Sequence, residues 1–293
     1  MKIKKIKAIR VLDSRDYPTI KTFVYTTNGI VGSAIVPSGT STGSNEALEL
    51  RDKTKAFDGH DVTKAINNVN TKINSLLAGF SVLDQEKIDK ALIKLDGTAN
   101  KSNLGANAML SVSLAVARTA SLEQKIDLWK YISKLNKTKT NKKLPIPLVN
   151  ILNGGEHAGN NLDFQEFQII PLQKSFDKRI EAVSEIYYKL KELLIKKFGK
   201  SAINVGYEGG FAPDISEPAE ALDLLVQAIN KAGYKNSVKL GLDCAANYFY
   251  NSKTKRYTIN KKQYSSDELI KYYQNLFKKY AIISIEDPFS EDD

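Results

Sequence analysis

The sequence predicts an α/β protein in two parts: a small α+β N-terminal domain, then a region where strands and helices alternate. Three observations carry this. Short alternating polar–apolar runs open the chain at Ile3–Leu12, Thr19–Thr26 and Ile30–Val36, with the turn signal Thr27-Asn28-Gly29 between the last two, so they read as a three-stranded antiparallel meander. Helical periodicity follows: Val62, Ile66, Val69, Ile73 and Leu77 share one stripe over Asp61–Leu77, and Ile88, Leu92 and Leu95 another over Asp84–Leu95. Two further helices read over about Gly105–Leu122 and Leu128–Leu135. From Leu144 the pattern becomes strand Ile146–Leu152, strand Phe167–Ile170, helices Asp177–Phe198 and Pro218–Ala232, strand Val238–Leu242, helix Asp267–Lys279 and strand Ile282–Ile285. Alternation of this kind predicts a largely parallel, helix-covered sheet. The basic stretch between the two parts gives domains at 1–136 and 144–293 joined by a linker at 137–143.

Composition narrows the function classes. The 293 residues are 42% hydrophobic and 26% charged, and no apolar run approaches the roughly 20 residues that span a bilayer. No membrane partner is expected. The single cysteine, Cys244, excludes an internal disulfide framework and suits a reducing compartment, so the expected location is the cytoplasm. The formal charge of +10 invites a nucleic-acid reading, with its densest stretch at Lys134–Lys143. That stretch carries no aromatic residue for base stacking, and the other lysines are spread along helical patterns, so the charge reads as a solvated surface with no nucleic-acid partner.

The acids are placed more tellingly. Val238–Leu242 runs directly into Asp243, and Ala281–Ile285 directly into Glu286. Each carboxylate thus ends an apolar strand, the position from which α/β barrels build their sites, and two hard oxygen donors there suit Mg²⁺. A strand that simply turns polar on entering a loop would look the same. Two glycine-rich loops, Asn153–Gly159 and Gly206–Pro213, each carry a titratable group, and paired glycines allow close approach of backbone to a ligand or nothing more than a turn. A third loop, Pro37–Gly43, is rich in hydroxyls and could cap a helix or fold over an anionic ligand.

Eight segments then occur in a familiar order: VPSGTSTG, EALELRD, LGANAMLSVSLA, NGGEHAGN, QEF, GYEGGFAP, LGLD and SIEDPF. Together they resemble the enolases (phosphopyruvate hydratases), in a form similar to the archaeal and bacterial branch, and the resemblance runs along essentially the whole chain. It implies the first half of an enolase-type (β/α)8 barrel after the small domain, about four of eight strands, the second of them antiparallel. It also implies Mg²⁺-dependent, reversible dehydration of 2-phosphoglycerate to phosphoenolpyruvate, and a homodimer through the N-terminal domain, with Arg15 near the subunit interface. Carried over residue by residue, Glu208 matches the acid that protonates the leaving hydroxide and Glu166 its partner carboxylate. His157 and Gln165 match substrate-side residues. Asp243 and Glu286 match two carboxylate ligands of the first Mg²⁺, and Ser41 a ligand of the second.

Departures accompany the match. The family's Asp-Ser-Arg-Gly-Asn-Pro reads here as Asp13-Ser14-Arg15-Asp16-Tyr17-Pro18, and Tyr207 stands where an aspartate is usual, beside Glu208. The resemblance places the third carboxylate ligand, the lysine base and the phosphate-binding segment beyond Asp293. The chain therefore reads as C-terminally truncated, completed by a complementary C-terminal chain or inactive by itself. A non-catalytic enolase-like binding protein, or a decayed fragment, is the competing reading.

Overall fold

The computed structural model describes residues 1–39, 43–138 and 143–293. Two compact units, Met1–Lys142 and Lys143–Asp293, each enclose their own core. Residues 139–142, the middle of the expected linker, lie outside the described residues.

In the first unit β1 (Ile3–Leu12), β2 (Pro18–Thr26) and β3 (Val31–Ile35) form the expected antiparallel meander in the order β1-β2-β3. Gly29, at φ +85°, closes the turn between β2 and β3, a backbone conformation that side-chain-bearing residues rarely adopt. Ile6, Ala8, Ile20 and Val24 are buried on the face that receives the helices. These are α1 (Thr63–Asn68) and α2 (Asn74–Leu77), joined by the π-helical turn Val69–Ile73, then α3 (Gln85–Asp96), α4 (Ala106–Glu123) and α5 (Leu128–Leu135). Small residues let α4 come close. A Cβ on Gly32 would stand 2.3 Å from Thr119 Oγ1, and the Thr22 and Ser111 hydroxyls bond at 2.8 Å.

The outer edge of β1 is closed by asparagines. Asn74 Oδ1 accepts from the Ile6 N–H and Asn70 Oδ1 from the Ala8 N–H, both at 2.7 Å, while Asn70 Nδ2 donates to the Ala8 carbonyl at 3.1 Å. One helical turn is about 5.4 Å and two strand residues about 6.8 Å, so side chains four apart on a helix can meet alternate amides of a strand. The edge that would otherwise invite pairing is capped.

In the second unit β4 (Val149–Asn153), β5 (Glu166–Pro171), β6 (Val238–Asp243) and β10 (Ile282–Glu286) form a four-stranded sheet in the order β10-β6-β5-β4. Only β6 and β10 run parallel; β4–β5 and β5–β6 are antiparallel. The alternation-based expectation of a largely parallel sheet is corrected here, and the reversed second strand that the resemblance implied is present. The connections explain it. No helix lies in 154–165 beyond the short 3₁₀ turn Gly155–His157, so the chain returns directly from β4 into β5. Two packed helices, α6 (Phe176–Phe198) and α7 (Pro218–Lys231), then separate β5 from β6, and an out-and-back pair leaves the next strand antiparallel. A single helix, α8 (Ser266–Lys279), separates β6 from β10, giving the parallel pair.

The small sheet β7 (Tyr250–Asn251), β8 (Arg256–Ile259) and β9 (Lys262–Tyr264) is absent from the sequence-based expectation. Its strands are too short to show a period. It buries Tyr257 among Phe249, Tyr250 and Phe289.

Asn74→Ala would leave the Ile6 amide without its acceptor. The expected loss is about 1–2 kcal/mol from the first unit in chemical denaturation, with the second unit's transition unchanged.

Candidate functional site

The reversal of β5 sets the site. Its first residue, Glu166, pairs in register with Asp243, the last residue of β6, and Asp243 pairs with Glu286, the last of β10. On the other side Asn153 of β4 pairs with Glu166. Three carboxylates therefore stand in one row across adjacent strands. Glu166 begins the strand rather than preceding it, as the sequence had suggested; Gln165 precedes it.

Two loops add the remaining groups. The Leu152 and Phe211 backbones bridge in parallel, which lays the loop Gly206–Phe211 along the end of β4. Close packing there requires glycine. A Cβ on Gly206 would fall 2.3 Å from the His157 carbonyl oxygen, and one on Gly210 would fall 2.5 Å from Asn153 Oδ1. The Tyr207 N–H donates to the His157 carbonyl at 3.0 Å, and the Tyr207 side chain, 64% exposed, turns to solvent. Tyr187 of α6 stacks on Phe211 at 4.2 Å and donates from its hydroxyl to the Gly209 carbonyl at 2.9 Å, pinning the residue after Glu208.

These contacts bring His157, Glu166 and Glu208 together. His157 Nδ1 lies 3.2 Å from Glu208 Oε2 and 3.9 Å from Glu166 Oε1, with the imidazole buried. Among the described residues this trio is a group whose ligand atoms all lie within 4.8 Å of one another, so it could hold a metal ion. Asp243 and Glu286 stand beside the trio rather than in it. Gln165 is committed to Asp243: its Nε2 donates to Asp243 Oδ2 at 3.0 Å, and the Ala245 N–H donates to Asp243 Oδ1 at 3.0 Å. Ser41 lies outside the described residues.

Burial and the crowding of like charges both favour the protonated form of these acids. Burial, then a hydrogen bond to Glu208 and its charge, push Glu166 up to about 7. Burial, then the charges of Glu166 and Glu286, push Asp243 up to about 6. Glu286 is also raised, by partial burial and then by Asp287 and Glu166. Among the described residues no lysine or arginine forms an ion pair with any of the three. A divalent cation would relieve that repulsion. Asp243 and Glu286 offer only oxygen donors, which fits Mg²⁺; the trio with its imidazole is the less suited to it.

The sequence reading missed two groups. Asn150 of β4 donates from Nδ2 to Glu208 Oε2 at 3.1 Å, and Gln168 of β5 donates from Nε2 to Glu166 Oε2 at 2.8 Å. A signal existed: each is a polar residue with an apolar one on either side in its strand, and Gln168 follows Glu166 at the two-residue period that returns to the same face.

Comparison with known proteins decides the family. Residues 3–132 match the enolase N-terminal domain and residues 141–293 the enolase C-terminal TIM barrel domain. The enolase of Methanocaldococcus jannaschii is 49% identical over 292 residues, covering 99% of this chain and 68% of that protein. The chain belongs to the enolase family. The Pyrococcus furiosus enolase is 48% identical over 291 residues, 98% of this chain and 66% of that protein. Enolase B of Dictyostelium discoideum is 46% identical over 305 residues, 100% of this chain and 68% of that protein. This enolase-family chain thus spans about two thirds of the length of these relatives. The expected fold, a small domain with a three-stranded antiparallel sheet followed by part of the enolase barrel, holds, and the family is one of lyases.

The raised Glu166 has a consequence for stability. Between the ordinary glutamate range and about pH 7 the native state keeps a proton that the unfolded chain releases, so stability falls as pH rises through that window. Without divalent cations, Glu166→Gln is expected to stabilise the second unit by about 1–2 kcal/mol at pH 8, a figure reduced for solvent screening, and to leave it nearly unchanged at pH 4. Denaturant midpoints at the two pH values measure this.

Proposed function

We propose that this chain supplies the acid side of an enolase site, which dehydrates 2-phosphoglycerate to phosphoenolpyruvate reversibly. The observation that carries the reading is the register that aligns Glu166, Asp243 and Glu286 while the Gly206–Phe211 loop sets Glu208 against His157. The reaction takes a weakly acidic proton from the carbon beside a carboxylate and expels hydroxide from the next carbon. Glu208 gives the proton to the leaving hydroxide. Glu166, hydrogen-bonded to Glu208, is its partner carboxylate, and burial together with the neighbouring Glu208 keeps a proton on Glu166 up to about pH 7. His157 and Gln165 orient the substrate, Gln165 from its place on Asp243. Asp243 and Glu286 would hold Mg²⁺, with Ser41 a ligand of a second ion, and the metal would supply positive charge against the substrate carboxyl group as it gains negative charge.

Two assemblies belong to this reading. A homodimer through the N-terminal domain is supported by exposed apolar residues on the meander, Leu12, Val31 and Ile35, the last 52% exposed. Closure of the barrel by further strands, from the rest of a longer polypeptide or from a complementary C-terminal chain, is supported by the edge position of β10 and by Ile283 at 56% exposure. The competing reading, a non-catalytic enolase-like binding protein, is favoured by Tyr207 in place of the usual aspartate.

One assay separates the two readings. With Mg²⁺ and 2-phosphoglycerate, the chain joined by the remaining barrel strands of a related enolase supplied in trans is expected to form phosphoenolpyruvate, and Glu208→Gln to cut kcat by about 10²-fold or more. Failure to form product in this arrangement, or a Glu208→Gln variant that keeps full rate, overturns the catalytic reading. Sedimentation of the chain and of Ile35→Glu tests the dimer: the parent is expected as a dimer and the variant as a monomer.

A further inference from the structure

The polar face of the four-stranded sheet carries two amides beside the carboxylate pair. Asn150 of β4 and Gln168 of β5 are direct cross-strand partners. Each serves a different carboxylate, Asn150 through Nδ2 to Glu208 Oε2 at 3.1 Å and Gln168 through Nε2 to Glu166 Oε2 at 2.8 Å. Only the nitrogen end of an amide can face a carboxylate favourably, which fixes the orientation of both side chains. Their oxygens, Asn150 Oδ1 and Gln168 Oε1, are buried and accept no hydrogen bond from the described residues.

Bare glycine makes room for those oxygens. A Cβ on Gly241, the cross-strand partner of Gln168 on β6, would stand 2.8 Å from Gln168 Oε1. A Cβ on Gly210 would stand 3.1 Å from Asn150 Oδ1. Each amide is therefore wedged between a glycine and a carboxylate, with one N–H aimed at the acid.

We propose that Asn150 and Gln168 are a matched pair of positioning residues, seated over Gly210 and Gly241, that fix the orientations of Glu208 and Glu166 through one N–H each. The consequence for turnover rests on the reading of Glu208 and Glu166 as the acid pair; the contact itself does not. The choice of amide has a physical reason. A lysine would tie its carboxylate down as an ion pair, a carboxylate would add to the existing repulsion, and an apolar residue would offer no donor. An amide orients the acid without changing the charge of the site. Gln168, at 5% exposure and with the shorter bond, holds Glu166 more firmly than the less buried Asn150 holds Glu208.

The test is nuclear magnetic resonance on the chain in metal-free buffer. The side-chain amide signals of Gln168 and Asn150, assigned by their loss in Gln168→Met and Asn150→Leu, are expected to exchange slowly with solvent and to show couplings across the hydrogen bond to the carboxyl carbons of Glu166 and Glu208 respectively. A donated hydrogen bond favours the ionised acid. Loss of that bond in Gln168→Met is expected to shift the Glu166 carboxyl-carbon signal at a fixed pH and leave that of Glu208 in place, and Asn150→Leu to do the reverse. Gly241→Ala, which crowds Gln168 without altering it chemically, should reproduce the Gln168→Met shift. A purely structural role would lower the unfolding midpoint of each variant without moving one carboxyl selectively. Amide signals in the parent chain that exchange fast and show no coupling to a carboxyl carbon, a measurement that needs no variant, overturn the proposal, as do folded variants with unmoved carboxyl-carbon signals. If the amides behave as expected while no phosphoenolpyruvate forms in the assay above, the catalytic reading falls and the positioning role stands.

Discussion

The antiparallel pairing of β5 with β6 is the constraint on which the second unit depends. Phe167 opposes Leu242 and Ile169 opposes Leu240, and all four side chains are buried in the core beneath the helices. The same register puts Glu166 opposite Asp243 and Gln168 opposite Gly241 on the other face. Side chains alternate along a strand, so a slip of one residue would carry the acids into the apolar core and the phenylalanine out of it. Burial of the apolar side chains therefore fixes the acids' positions without any attraction between the acids themselves.

Such an arrangement has a cost. Glu166, Asp243 and Glu286 are partly withdrawn from water and lie among like charges, which raises all three from their ordinary values. The core beneath them holds large side chains with almost no exposure, among them Phe164, Phe167 and Leu242. A site that disfavours its own ionised form has to be held by packing elsewhere, and local rules are most often broken where chemistry is done. Gln168 moderates the strain on Glu166 without cancelling it, since a neutral donor favours the carboxylate but brings no positive charge.

How far this was legible from sequence differs by element. The meander and the long helices were readable because their periods extend over enough residues to show. The acids at the ends of β6 and β10 were readable because apolar strands stop at them. The direction of β5 was not readable from alternation: pattern counts elements but does not say that α6 and α7 form an out-and-back pair. The segments β7 to β9, two to four residues each, carry too little period to detect. Asn150 and Gln168 were overlooked because polar residues within strands are usually taken for solvent-facing ones. Here they face the polar interior of a site. Glu208 could be named from its glycine-rich loop, but its approach to His157 depends on Gly206 and Gly210, whose lack of side chains matters only once the loop is seen against β4.

The pairing of α6 with α7 has one more consequence. Because the two helices run out and back, the start of β6 is set by their packing and not by the length of chain between them. The exposed positions between the two helices can therefore vary while the row of acids keeps its place. Within the stretch that carries Glu208, Gly206, Gly210 and the buried Phe211 are held by packing, whereas Tyr207, with its side chain in solvent, marks a position where substitution costs folding little. The frame is conservative by construction. Novelty in this half of the site would enter through the loop.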